Sequence, residues 1–201
     1  DPVLPLMEEL LNSRKYRSLN LPEETVRDLL EQELPRHRNS KEALKAVRHK
    51  LHTIVAPYLG DPDYKAMIAE LQTAHATGPD MLREICQKIL SSHASTRERL
   101  QVLDDFYPRL FALTGVPASI LDLACGLNPF AWPWMGLPAS TAYFAYDIHA
   151  PRVAAINAFF QILGLVPLGE VRDVLVRPPQ VEADVAFLFK FFEKFIHYQF
   201  L

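Results

Sequence analysis

Residues 120–129 read Ile-Leu-Asp-Leu-Ala-Cys-Gly-Leu-Asn-Pro. Ile120, Leu121 and Leu123 supply the short apolar run of a buried strand. Ala124, Cys125 and Gly126 are small, and Asn128-Pro129 ends the strand. A parallel strand closing in small residues lets the backbone turn tightly and approach a ligand. Doubly wound sheets hold nucleotide-like cofactors at such turns. Asp147 follows Gly126 by 21 residues, at the end of a second β-like run. An acid there accepts hydrogen bonds from ribose hydroxyls, or simply caps the next helix. Asp173 follows a third run. It can take the exocyclic amine of an adenine while Val174 packs on the ring, or serve as an ordinary loop acid. Lys190 ends a fourth run, where a substrate would enter; a solvated strand-end lysine is the plainer reading. Cys125 has no histidine partner that the sequence fixes, so it reads as a small packing residue. Only Gly126 stands where a dinucleotide fingerprint needs three glycines, which disfavours a nicotinamide enzyme.

The elements that must position these residues fall into two halves. Residues 1–115 carry helical periodicity, with helices expected at about 4–16, 22–34, 63–75, 80–91 and, as one long element, 96–113. Another starts near Ser40 as N-cap; on it Leu44, Val47, Leu51 and Val55 make an apolar face. Pro22 suits a first-turn position. Residues 116–201 alternate strand and helix: strands at about 119–124, 141–147, 166–172 and 184–189, and a helix at 151–163. Such alternation implies parallel pairing. The expected fold is α/β: a helical N-terminal domain (1–115), then a Rossmann-like sheet domain (116–201).

The chain has 201 residues, 49% hydrophobic and 22% charged, a globular balance. Its net charge of −3 does not by itself point to nucleic acid. Charge is nevertheless local. Between Leu34 and His52 stand Arg36, Arg38, Lys41, Lys45, Arg48 and Lys50, with Glu42 as the only acid. Arg14, Lys15 and Arg17 form a smaller cluster. A basic stripe beside an apolar helix face suits phosphate contacts, although a solvated helix face looks the same. No aromatic stacking motif of a single-strand RNA module is present, which favours reading the shape of a folded RNA. Cys86 and Cys125 show neither metal nor redox spacing, and the histidines show no ligand spacing, so no metal is expected. No membrane span or signal peptide is legible, and a reducing cytoplasm is the expected setting. Because the sequence begins at Asp1, a trimmed N-terminus is expected.

The acidic residue Asp122 followed by the Ala124-Cys125-Gly126 turn is similar to the acidic-x-Gly-x-Gly-x-Gly turn of AdoMet-dependent methyltransferases, with Ala124 and Asn128 replacing two glycines. More specifically, residues 121–129 resemble the cofactor loop of the aminoglycoside-resistance 16S ribosomal RNA (guanine-N7) methyltransferases. His93-Ala-Ser-Thr-Arg-Glu-Arg-Leu100 resembles that family's His-x-Ser-Thr-Arg/Lys-Glu-Arg-Leu segment. Weaker likenesses are Ser13-Arg-Lys-Tyr-Arg17 with Thr25-Val-Arg27, and Trp134-Met-Gly-Leu-Pro138. The likeness runs in order over about residues 8–190. It implies a class I AdoMet-dependent methyltransferase acting on 16S rRNA in the 30S subunit. It also implies roles. Thr96 and Arg97 would reach the cofactor, Arg97 near its carboxylate. Ala124 and Gly126 would line its methionine end. Asp147 and Ile148 would hold ribose and adenine, and Asp173 and Val174 the adenine edge. Lys190 would stand at the mouth. Arg14, Lys15, Arg36, Arg38, Lys41, Lys45 and Arg48 would face RNA.

Guanine N7 presents a lone pair and no proton, so its methylation needs no acid or base residue, and none is expected. The class normally has a seven-stranded sheet, whereas this sequence stops at Leu201 after the fourth run. A truncated sheet is therefore expected, and the aromatic segment from Phe191 to Leu201 is a candidate for self-association. The alternatives are a homologue that binds AdoMet or RNA without transferring a methyl group, or a small-molecule methyltransferase.

Overall fold

The computed structural model describes residues 2–17, 21–55 and 62–189. Three helices come first: α1 (Val3–Leu11), α2 (Glu23–Glu33) and α3 (Ser40–Val55). Their inward faces make one apolar cluster, in which Leu10, Val26, Leu30, Val47 and Leu51 are fully buried. Leu44, Val47 and Leu51 of the expected α3 face are buried as the periodicity requires; the Val55 side chain lies outside the described residues. Two helix starts differ from expectation by one residue. Asn39, not Ser40, caps α3: its Oδ1 accepts the Glu42 N–H at 3.0 Å, as an amide oxygen at the cap does. Pro22 is itself the residue before α2, in extended backbone with ψ 133°.

Helices α4 (Tyr64–Thr77) and α5 (Pro79–Ser91) form a hairpin around Gly78. Gly78 has a φ of +143°, open to glycine and strained for other residues. Asp63 caps α4 by accepting from the Lys65 and Ala66 N–H groups. The expected long helix over 96–113 is broken in three: α6 (Ala94–Arg97), a 3-10 turn (Leu100–Val102) and α7 (Leu103–Thr114). Local competition explains the break. The Thr96 hydroxyl donates to the Leu90 and His93 carbonyls, which ties α6 back onto α5. Asp104 and Asp105 then favour a fresh helix N-terminus, where carboxylates complement the dipole.

The sheet has strands β1 (Ser119–Leu123), β2 (Ala142–Asp147), β3 (Gly169–Val171) and β4 (Val185–Phe187), in the order β3-β2-β1-β4, all parallel. A short helix, α8 (Trp132–Met135), follows β1, and α9 (Ala150–Ile162) links β2 to β3. β3 and β4 are shorter than their apolar runs suggest. At the start of β3 the Asn157 amide takes over both backbone groups of Gly169, at 2.7 and 2.9 Å. Before β4, the Asp184 carboxylate accepts the Ala118 and Ser119 N–H groups. The main core joins α4, α5 and α7 to the sheet, with Tyr107, Tyr143, Phe130, Phe159 and Phe160 fully buried. Each such ring contributes about 1.5–3 kcal/mol relative to exposure. Thus the helices from α4 onward share the sheet's core, while α1–α3 keep their own.

Candidate functional site

The carboxyl ends of β1 and β2 lie side by side, in register from Ser119 with Ala142 to Leu123 with Tyr146. The β1 chain then turns over the sheet edge. Ala124 has φ +52° and Gly126 has φ +55°, left-handed values that cost a non-glycine residue about 1–2 kcal/mol. The turn is held from β2. The Cys125 N–H donates to the Tyr146 carbonyl at 2.9 Å, and the Gly126 N–H to Asp147 Oδ2 at 3.0 Å. Asp147 also accepts from the His149 N–H at 2.9 Å and lies 3.5 Å from Arg152 Nη1. Both members of that pair are buried, Asp147 at 5% and Arg152 at 1% exposure. A carboxylate can accept about four hydrogen bonds, so these three donors fix Asp147 without exhausting it.

Beneath the turn lies a polar network that sequence reading missed. Asn128 Nδ2 donates to Asp122 Oδ2 at 2.9 Å and to the Tyr143 hydroxyl oxygen at 3.2 Å. Its Oδ1 accepts from the Tyr107 hydroxyl at 2.9 Å and from Arg99 Nη2 at 3.1 Å. Tyr143 donates to Asp122 Oδ2 at 2.6 Å. Asp122, 1% exposed, is pushed up to about 7 by burial, against the lowering effect of Tyr143, Asn128 and Arg99. Asp122 therefore faces into the fold and braces the turn; it does not line the ligand side. The Arg99 guanidinium also lies 4.3 Å from the centre of the Phe189 ring. An asparagine inside an otherwise apolar, glycine-poor turn was the available signal for this network.

The other sequence candidates sort as follows. Asp173 stands in the loop after β3, next to the end of β2, where the Arg172 N–H bonds to the Asp147 carbonyl. Its Oδ1 accepts the Leu175 and Val176 N–H groups, and its Oδ2 accepts from the Thr25 hydroxyl at 2.8 Å. Ile148, half-buried, packs against the α1–α3 cluster. Asp147, Ile148, Asp173, Val174, Ala124 and Gly126 thus share the carboxyl ends of neighbouring strands. Thr96 is buried within α6, with its hydroxyl spent on the Leu90 and His93 carbonyls and so not free for the cofactor contact the resemblance implies. Arg97 is exposed on α6, and it is Arg99 that touches the network of the turn. Lys190 lies outside the described residues. Burial raises the Cys125 thiol well above its ordinary value, and the nearby Asp122 and Asp147 charges raise it further. That environment keeps the thiol protonated and unreactive.

On α3, Lys41, Lys45, Arg48 and His52 are exposed, as are Arg14, Lys15, Arg36 and Arg38. The two basic clusters meet: Lys15 Nζ lies 3.3 Å from His52 Nδ1, and the Tyr16 hydroxyl donates to the Arg48 carbonyl. Two of these arginines are paired, Arg36 with Glu33 at 3.2 Å and Arg48 with Glu9 at 2.5 Å. Burial alone would raise the Glu33 carboxyl. Bonds from Lys50 and His37, with the Lys50 and Arg36 charges, hold it below its ordinary value instead. Among the described residues no cluster of His, Cys, Asp and Glu could hold a metal ion, and no helix is long and apolar enough to cross a membrane.

Comparison with known proteins is specific. Residues 12–197 match the family model described as ribosomal RNA methyltransferase (FmrO). Relatives named 16S rRNA (guanine(1405)-N(7))-methyltransferase include one from Frankia casuarinae, 36% identical over 91% of this chain and 66% of that protein. Another, from Micromonospora echinospora, is 34% identical over 94% and 70%, and one from Proteus mirabilis is 33% identical over 92% and 69%. The chain therefore spans about two-thirds of the length of these relatives. Among solved structures, the 16S rRNA methylase RmtB superposes with a TM-score of 0.79 at 30% identity, covering 98% of this chain and 76% of that one. RmtF in complex with S-adenosyl-L-homocysteine gives 0.74 at 31% identity, covering 98% and 73%.

Proposed function

Because the chain belongs to the FmrO family of ribosomal RNA methyltransferases, we propose that it transfers a methyl group from AdoMet to N7 of a guanine in the decoding site of 16S rRNA, within the 30S subunit, and so confers aminoglycoside resistance. One observation carries the cofactor half of this reading. The small-residue turn after β1 is clamped by its own Gly126 N–H onto the Asp147 carboxylate, so the turn and the acid proposed for the ribose are held as one unit. The residues present fit the cofactor. Ala124 and Gly126 would line the methionine end and Asp147 would take the ribose hydroxyls. Ile148, Asp173 and Val174 would enclose the adenine. Arg97, exposed on α6, would pair with the carboxylate in two parallel bonds, and Thr96 would hold α6 in place for it. Lys190 would stand at the substrate side.

AdoMet supplies an activated methyl group on its sulfonium. The protein's task is to hold guanine N7 in line with it, and orientation can account for a large share of the rate. N7 has no proton to remove, so no residue acts as acid or base. A paired target base would have to leave its stack first. Within the 1–115 half we assign RNA docking to α1–α3, because α4–α7 belong to the sheet's core. There Arg14, Lys15, Arg38, Lys41 and Lys45, with the paired Arg36 and Arg48, would meet phosphates. The aromatic segment from Phe191 to Leu201, outside the described residues, is proposed for self-association, and the cytoplasm, with its ribosomes, as the site of action.

The test is methyl incorporation from labelled AdoMet into purified 30S subunits. Incorporation that vanishes when Arg36, Lys41, Lys45 and Arg48 are changed to glutamate supports the reading. Incorporation indifferent to that change favours a small-molecule methyltransferase. S-adenosylhomocysteine binding without incorporation favours a homologue that binds but does not transfer.

A further inference from the structure

Thr25, a residue of the helical unit, makes a bond that the proposed chemistry has not used. It lies in the first turn of α2 and is 2% exposed. Its hydroxyl donates to Asp173 Oδ2 at 2.8 Å, across 148 residues of sequence. The other carboxylate oxygen of Asp173 is held by its own loop, through the Leu175 and Val176 N–H groups. The loop therefore fixes where Asp173 sits, and α2 fixes how its second oxygen is turned. The same helix reinforces the contact nearby. Arg177 lies 3.6 Å from Glu24 of α2 and 3.3 Å from Glu170 of β3. Its N–H donates to the Asp173 carbonyl at 2.8 Å. On the adjacent strand end, Ile148 packs into the α1–α3 core. Two of the three residues assigned to the adenine, Ile148 and Asp173, are thus backed by the RNA-docking unit.

We infer that Thr25 is a positioning residue for the cofactor, orienting the Asp173 carboxylate toward the adenine amine from the helical unit. This rests on the AdoMet reading above. Two consequences follow from the geometry. The adenine end of the pocket is complete only when α2 is seated against the β3 loop. Whatever shifts α1–α3, RNA docking included, then changes cofactor affinity, and cofactor must change RNA affinity by the same factor.

Thr25→Val removes the hydroxyl and keeps the shape; Thr25→Ser keeps the hydroxyl. Calorimetric titration of each with S-adenosylhomocysteine should show affinity reduced about 3- to 10-fold for Thr25→Val, less than the full worth of a hydrogen bond to a charged group because this bond acts on the ligand only through Asp173, and near wild-type affinity for Thr25→Ser. In an Asp173→Ala background, Thr25→Val should have no further effect, because the bond it removes is already gone. Saturating S-adenosylhomocysteine should also tighten binding of wild-type protein to 30S subunits, and do so less for Thr25→Val. Unchanged affinity in Thr25→Val, the same loss with and without Asp173, or failure of Thr25→Ser to restore binding would each overturn the inference. Absence of S-adenosylhomocysteine binding by the wild-type protein would instead remove the cofactor reading beneath it. Thermal melts of the ligand-free variants separate an altered pocket from a general loss of fold.

Discussion

Replacing Asn128 by alanine should be among the most damaging single changes in the chain, although Asn128 is assigned no contact with cofactor or RNA. The side chain is 2% exposed and makes the four bonds, to Asp122, Tyr143, Tyr107 and Arg99, described above. Two of those partners, Arg99 and ionised Asp122, carry charge, whereas the tyrosine hydroxyls are neutral, their ionisation pushed up by burial. Hydrogen bonds to charged groups contribute about 1.5–3 kcal/mol each and neutral ones about 0.5–1.5. Tyr143 still serves Asp122 after the change, and network losses are not additive. The expected destabilisation is therefore about 3–5 kcal/mol, a fall in Tm on the order of 10 °C for a chain of this size. Urea unfolding followed by tryptophan fluorescence measures it directly.

Asn128→Asp sharpens the test through pH. Burial raises Asp122 to about 7, so the folded state holds that proton more tightly than the unfolded chain does. Wild-type stability should then fall as pH rises from about 4 to about 7. A second carboxyl at position 128 can share a proton with Asp122 at low pH but repels it when both ionise. The gap between Asn128→Asp and wild type should widen steadily from pH 5 to pH 8. Asn128→Ala within about 1 kcal/mol of wild type, an effect too small for four buried bonds, or an Asn128→Asp gap that is constant with pH, would refute the reasoning.

Other outcomes follow from the same geometry. Asp122→Asn should flatten the fall in wild-type stability between about pH 4 and about pH 7, read from urea midpoints. Ala124→Gly relieves a φ of +52° and should stabilise the fold by about 0.5–1 kcal/mol; equilibrium unfolding checks it. Asp147→Ala should weaken S-adenosylhomocysteine binding at least about tenfold, as loss of a charged ribose acceptor implies, by calorimetry. It should also destabilise the protein, because buried Arg152 loses a carboxylate partner. Changing Arg36, Lys41, Lys45 and Arg48 to glutamate should abolish 30S binding in sedimentation assays and leave S-adenosylhomocysteine affinity within about twofold, since these side chains lie on the helical unit and not at the strand ends.

The strands and their parallel pairing were legible because β1 and β2 carry clean apolar runs ending in a small-residue turn and an acid, whereas the order β3-β2-β1-β4 came only with the fold. The α3 faces were legible for the same kind of reason: Leu44, Val47 and Leu51 repeat at helical spacing, with lysines a quarter turn away. The break between α6 and α7 was not. The residues over 96–113 keep helical periodicity, and the interruption comes from the Thr96 bonds back to the Leu90 and His93 carbonyls together with the fresh N-terminus at Asp104 and Asp105. The brace under the turn was equally hidden. Arg99, Tyr107, Asn128 and Tyr143 come from four separate elements, and no local pattern announces that they converge. The Thr25–Asp173 bond, 148 residues long in sequence, lies beyond any periodicity argument. Local signals thus located the strand ends that would form the pocket, whereas the contacts that stiffen those ends are products of packing.

The central claim is methyl transfer to guanine N7, and a single measurement addresses it. The protein is incubated with purified 30S subunits and labelled AdoMet, and the 16S rRNA is then treated with borohydride and aniline, which cleave the strand at N7-methylguanosine. The account predicts label in 16S rRNA and one new cleavage, at a guanosine of the decoding site, both lost in Asp147→Ala. Label without cleavage, or S-adenosylhomocysteine binding with neither, would contradict it.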